Sequence, residues 1–286
     1  MKRGFVVAGF GLALALGAAG SASAQTLGAD LALNSQYFWR GLTLSSKPVA
    51  QPDLYLTFGK SLTFTAGGWA NIELGQYNGT EDISEGGGTS SFNLTEFDWW
   101  GEFNYPITKI TLTAGATGYV YPNDAGLTKD ANTTEIYGKV AFGIPLSPKL
   151  AVWYDVDKIK GAYIEASAGL PISLTPALPL SLGILAGFSA GQGCEPDSTG
   201  ACQATTSWNF HDDGLTHIDL SASLPISAGP ISITPNIHGI IGNDENVKVT
   251  HLDPSSPSGV KTSDFKAVFG VTVSWSKTFG SSEKTE

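Results

Sequence analysis

Charge is scarce in this chain: Asp, Glu, Lys and Arg make up 15% of its 286 residues, against about a quarter in an ordinary globular domain. Basic charge is scarcer still. There are 16 Lys+Arg against 26 Asp+Glu, and beyond the third residue the only arginine is Arg40. A surface that tracks phosphates needs a positive field, so this balance argues against nucleic acid as a partner. Two cysteines and four histidines do not supply a disulfide scaffold or an all-Cys/His zinc cluster. Beyond the amino-terminal segment no clean helical membrane span is present. The one uncharged stretch long enough, Ala166 to Cys194, is broken by Pro171, Pro176 and Pro179 and reads as two strands flanking a turn. What is abundant is 35 glycines, 42% hydrophobic residues and 10% aromatics. That composition excludes a disordered chain and a coiled coil.

The first residues form a leader. Lys2 and Arg3 precede an apolar stretch from Gly4 to about Gly17, and small residues follow to Ala22-Ser23-Ala24. This is the pattern of a secretory signal peptide, residues 1–24, cut after Ala24. Removing Lys2 and Arg3 takes the net charge from −10 to −12. In an exported protein Cys194 and Cys202, with seven residues between them, read as one loop disulfide.

From residue 25 to about 280, apolar and polar residues alternate with the period of a strand. Twelve runs carry the pattern: 29–40, 50–59, 62–74, 93–105, 109–121, 133–143, 149–157, 161–170, 180–190, 215–224, 231–241 and 265–279. The last places Phe265, Phe269, Val273 and Phe279 on one face and Lys266, Gly270, Thr272 and Ser274 on the other. Connections alternate too. Gly59 to Ser61, Tyr105 to Thr108 and Ile144 to Pro148 are compact, whereas Gly75 to Phe92, Pro122 to Asn132, Gly191 to Asp213 and Gly242 to Asp264 are long and polar. An even number of strands with short turns at one end and long loops at the other is the signature of an all-β transmembrane antiparallel barrel in a Gram-negative outer membrane. Strands in lipid must close on themselves to leave no unpaired edge. A soluble sandwich would also alternate, but its outward face would be rich in Lys and Glu, which this polar face is not. Tyr37, Trp39, Trp99 and Phe188 are expected at the outer aromatic girdle, and Phe58, Phe64, Phe103, Tyr105, Phe142, Trp275 and Phe279 at the periplasmic one. A polar tail, 281–286, follows.

Asn34-Ser35-Gln36-Tyr37-Phe38-Trp39-Arg40-Gly41, followed by Ala66-Gly67-Gly68-Trp69-Ala70-Asn71, resembles the proteobacterial exported family with the Gcw_chp domain label (TorF-like porins). Glu96 to Tyr105, Thr134 to Tyr137 and His217 to Leu220 fit as well. The resemblance implies an outer-membrane barrel acting as a channel, and it brings no catalytic residues.

The polar faces, taken as lumen-facing, carry eleven acids: Asp30, Asp53, Glu73, Glu96, Asp98, Glu102, Glu135, Asp155, Asp157, Glu165 and Asp219. Against them stand Arg40, Lys139 and Lys266. Acid rings in a confined pore favour cations, so the expected function is passive passage of small hydrophilic solutes, favouring cationic or zwitterionic ones. The partners are outer-membrane lipid, lipopolysaccharide and the solute, with no cofactor. The competing expectation is a filled, non-conducting barrel braced by its charges, with Trp69, Trp100, Trp153 and Tyr119 occupying the lumen. Arg40 is expected on the lumen face near the outer rim, either gripping a solute's carboxylate or phosphate or forming a fork to Asp30, Asp53 or a neighbouring strand's acid. Gly187-Phe188-Ser189-Ala190-Gly191 satisfies the nucleophile-elbow pattern, but no helix is expected after it. A lipid hydrolase built on Ser189 with His211 or His217 is therefore a third, weaker reading. His211-Asp212-Asp213 with His217 could hold a divalent cation at the loop rim.

Overall fold

Alternation over ten or more residues forces a strand to show one face to each of two environments, and here the two environments are outside and inside. The computed structural model describes residues 25–75, 92–122, 132–175, 178–195, 198, 202, 209–253 and 255–280. The signal-peptide segment 1–24, the tail 281–286 and most of the connections 75–92 and 122–132 lie outside the described residues.

Twelve strands form the wall: β1 (Gln25–Asn34), β2 (Val49–Gly59), β3 (Thr63–Glu73), β4 (Asn93–Ile107), β5 (Ile110–Val120), β6 (Thr133–Phe142), β7 (Lys149–Asp155), β8 (Ala162–Thr175), β9 (Leu178–Ala190), β10 (Gly214–Ser223), β11 (Ile231–Gly242) and β12 (Phe265–Phe279). Each pairs antiparallel with its sequence neighbours. The last closes on the first, with Gln25 opposite Phe279 and Asn34 opposite Gly270. The ring is complete, so no wall strand is left as a sheet edge. A short strand, Ile226–Ala228, prolongs the β10–β11 hairpin past Pro225. The helical content of the described residues is one turn, α1 (Glu245–Lys248), capped by the Asp244 side chain.

The apolar face points outward. Leu54, Trp99, Phe103, Tyr105, Ile136, Leu150, Tyr154, Leu170, Ile184, Leu220, Ile237, Phe265 and Phe269 are all exposed. A belt of large apolar side chains around a closed wall has no soluble explanation, because water would charge about 25 cal/mol for each Å² of it. It fits the hydrocarbon of a bilayer. Exposed Phe103, Tyr105, Phe142 and Phe279 sit towards the short-turn end. In no described segment is there a helix long and apolar enough to cross a membrane, and the strands take that role.

The first strand is shorter than its alternation. β1 stops at Asn34, and Tyr37–Trp39 pairs instead with Leu42–Ser45 in a separate hairpin. Alternation continues through Tyr37 and Trp39, but periodicity cannot register that the chain has left the wall. The hairpin folds into the lumen. Tyr37 is buried, its ring 5.6 Å from that of Trp69, and Trp39 meets Tyr119 edge-on at 6.1 Å. Neither residue belongs to the outer girdle. Asp157 also departs from expectation, lying beyond the end of β7 in an exposed turn.

Candidate functional site: the lumen and its inward hairpin

The hairpin's turn is Arg40-Gly41, with φ of 50° and 84°. Positive φ at both central positions is the type I′ geometry, whose twist matches its two strands. Gly41 adopts it freely. Arg40 does so against its own preference, and its side chain supplies the compensation. Its guanidinium donates from both terminal nitrogens to Glu135 of β6, at 2.7 and 2.6 Å, with the two side chains only 7% and 2% exposed. Tyr119 donates its hydroxyl to the same carboxylate at 2.8 Å. The guanidinium carbon also lies 4.3 Å from the Trp39 ring centre, 4.5 Å from that of Tyr163 and 5.4 Å from that of Trp153. Arg40 is therefore a fork to Glu135 across the lumen, and not to Asp30 or Asp53. Asp30 and Asp53 face each other on β1 and β2, outside its reach.

The rest of the hairpin is pinned from other walls. Tyr37 donates to Glu96 of β4 at 2.8 Å. Lys266 of β12, 5% exposed, donates to the Gly41 carbonyl at 3.0 Å, to Thr43 Oγ1 at 3.1 Å and to the Val247 carbonyl of α1. The His217 ring of β10 lies against Gly41 and stacks on Tyr163. Above the hairpin, Tyr163, Phe210 and Val247 form a small apolar cluster joined by Leu42 and Trp153. The long-loop mouth is thus covered by the hairpin, the 209–213 segment and α1. Asp244 joins the last two by accepting from the backbone N–H groups of His211, Asp212 and Asn246.

The other lumen acids are distributed unevenly among donors. Glu102 accepts from Lys139 at 3.1 Å, Tyr137 at 3.1 Å and Asn104 at 3.1 Å. Asp219 pairs with His238 at 2.8 Å. Asp155 caps the turn after β7 by accepting from the N–H groups of Asp157, Lys158 and Ile159, and takes the Thr133 hydroxyl at 2.6 Å. Asp53 accepts from Trp100 Nε1 at 3.3 Å. Glu73, Glu96 and Asp98 are buried, and Glu165 is half-buried on β8. One oxygen each of Asp30, Asp98 and Asp219 is out of reach of solvent with no hydrogen-bond partner among the described residues. A continuous inward row crosses the wall: Ser274 lies opposite Asp30, Asp30 opposite Asp53, Asp53 opposite Trp69, and Trp69 opposite Asp98. At the short-turn mouth a cavity of about 240 Å³ is lined by Asp30, Tyr55, Ser227, Ser232 and Ser274 among others.

The loop residues have separate duties. Ser189 donates to Asp213 at 2.7 Å, and the N–H groups of Gly191, Gln192 and Gly193 donate to the same carboxylate. Burial pushes the Asp213 carboxyl up, but these four donors outweigh it and hold it below the usual range. Among the described residues neither His211 nor His217 bonds Ser189, because His211 pairs with Asp212 and His217 with Thr216. β9 ends at Ala190, and Gly191–Glu195 forms no helix. Cys194 and Cys202 are joined in a disulfide with their Cα atoms 5.4 Å apart. The grouping of these two sulfurs with His211 offers a metal no thiolate, since both are oxidised.

The sequence could not have revealed the inward hairpin through hydropathy. One signal was present: the lone arginine followed by glycine, within a run dense in aromatics. Lys266 was readable as a lumen residue, but its role as the hairpin's anchor was not.

A family model described as "Bacterial protein of unknown function (Gcw_chp)" matches residues 18–184. No curated protein matches the chain. Among solved structures, an outer-membrane channel from Pseudomonas putida F1 is similar at 11% identity and a TM-score of 0.49, over 91% of this chain and 97% of that one. LpxR from Salmonella typhimurium is similar at 9% identity and 0.48, over 87% and 99%. A TodX monoaromatic hydrocarbon channel mutant reaches 11% identity and 0.39, over 90% of each chain. With every score below 0.5, these are likenesses in barrel form and say nothing of what this chain passes.

Proposed function

From the premise that the chain belongs to the Gcw_chp family, bacterial proteins of unknown function, we propose that it is an outer-membrane channel for small hydrophilic solutes that favours cations. Residues 1–24 are its cleaved export signal on this reading, and the apolar belt sits in the outer membrane with the short turns towards the periplasm. The observation that carries the proposal is the imbalance of charge inside the wall. A barrel braced only for stability would match its acids with bases, because an unpaired buried carboxylate is costly. Here Glu135, Glu102 and Asp219 have cationic or ionisable partners, while Asp30 and Asp53 lie opposite each other with only Ser274 and Trp69 opposite them on their other flanks. Such a surplus is tolerable where water and mobile cations neutralise it, as in a conducting lumen. In this reading the Arg40 hairpin is the constriction, and its docked position sets a small conductance.

The hairpin also favours a second reading. It reaches walls on opposite sides and is held at both ends, as expected of a permanent plug in a structural or surface-interaction barrel. Recording from folded protein in a planar bilayer separates the two. A small, salt-dependent, cation-preferring conductance supports the channel. A folded, heat-modifiable barrel that never conducts leaves the plugged barrel.

A further inference from the structure

We propose that the cavity at the short-turn mouth is a binding site for an organic ammonium ion. The proposal deepens the cation-preferring reading of the lumen by naming a place and a chemical class. The cavity, about 240 Å³, lies against the β10–β11 turn and is lined by Asp30, Tyr55, Ser227, Ser232, Ser274 and Ser276, together with Gly229, Pro230, Ile231 and Trp275. Among the described residues its lining holds no Lys, Arg or His. Asp30 is the one carboxylate among the described lining residues. Asp53 stands directly opposite on β2, so the local field is negative twice over, and its own donor is the Trp100 indole.

The class of cation follows from what surrounds the carboxylate. A divalent metal such as calcium takes six to eight oxygens with several carboxylates among them, and one lining acid with neutral hydroxyls falls short of that. An ammonium needs fewer: one carboxylate, some hydroxyl acceptors and an aromatic face. Tyr55 offers the face. Its ring occupies the space that a Cβ on Gly28 would need, and its centre lies 6.1 Å from that of Trp100. Gly28 is thus what allows the ring to lie against the wall beside Asp30. A zwitterion is disfavoured relative to a simple cation, since among the described residues nothing basic lines the cavity to receive its carboxylate.

The test is isothermal titration of the full chain, refolded in detergent, with n-butylammonium, butyrate and calcium chloride. The expected result is saturable binding of butylammonium with none of butyrate. Affinity should fall about tenfold or more in Asp30→Asn, the scale of one charge-assisted contact. Gly28→Ala, which displaces the Tyr55 ring, and Tyr55→Leu should each weaken binding severalfold. These two variants keep the test decisive if Asp30→Asn does not fold. The proposal is overturned if folded wild type does not bind butylammonium, if all the folded variants bind it like wild type, or if calcium displaces it with higher affinity. Failure here is distinguishable from failure of the channel reading. Binding without conductance in a bilayer would keep the site and remove the channel, and conductance without binding would do the reverse.

Discussion

Replacing Arg40 by alanine removes the guanidinium that ties the inward hairpin to the far wall. Glu135 then keeps one donor, the Tyr119 hydroxyl, in a place where its side chain is 2% exposed. Breaking a buried ion pair on one side costs about 3–5 kcal/mol, mostly because the partner's charge is stranded. At about 1.4 kcal/mol per tenfold, that shifts the docked–undocked balance of the hairpin by a factor of roughly a hundred to several thousand. Loss of the stacking against Trp39 and Tyr163 works in the same direction, at about 0.5–2 kcal/mol. The double variant Arg40→Ala/Glu135→Leu removes the stranded charge too and should recover most of the loss, giving a strong coupling in a double-mutant cycle. Amide exchange of residues 37–45, followed by mass spectrometry on folded protein, reads this directly, with bilayer conductance recorded alongside. Arg40→Ala should exchange faster through the hairpin and conduct more. If hairpin exchange is unchanged in Arg40→Ala, or if the double variant fares no better than the single, the clamp is not what holds the hairpin.

Three further outcomes follow from individual contacts. Lys266→Met keeps the stem but leaves the Gly41 and Val247 carbonyls without their donor, and should cost about 1–3 kcal/mol, read as a lower temperature for heat-induced mobility shift on a gel. The Asp213 carboxyl is held below its usual range in the folded loop, so its contribution is present at neutral pH and is lost as pH falls through that lowered value. Protection factors of the Gly191 and Gly193 amides should therefore fall only in strong acid, and Asp213→Asn should lower them at neutral pH. Replacing Cys194 and Cys202 by serine removes a short loop constraint worth about 2–3 kcal/mol to that loop. It should loosen exchange in 209–213 while leaving the barrel's melting unchanged, because the wall's own pairing does not pass through the disulfide.

Most of the wall was legible because a strand in lipid has to alternate over its whole length. The run 265–279 could be read to the residue, and 93–105 fell short only where Pro106-Ile107 continues the strand. The same period puts Asp30, Glu135 and Asp219 on the polar face of their strands. The expectation fails over residues 35–40, where alternation persists after the wall strand has ended at Asn34. In a soluble protein an aromatic strand face marks the core, and in a barrel it marks lipid. A hairpin inside the lumen reverses that rule again, since Tyr37 and Trp39 bury against Trp69 and Tyr119. The Arg40–Glu135 pair spans 95 positions in sequence, and no local signal specifies which of many acids a single arginine will meet. Charge matching narrowed the partner to a lumen acid, and only the tertiary path of the hairpin selected Glu135.

The claim that an acid-rich lumen conducts cations is tested most directly by the reversal potential of purified, folded protein in a planar bilayer across a KCl gradient. The account predicts a small conductance whose reversal potential moves towards that of potassium, and moves less when Asp30 and Asp53 are both changed to asparagine. A shift towards the chloride potential, or no conductance from barrels that are demonstrably folded, would contradict it.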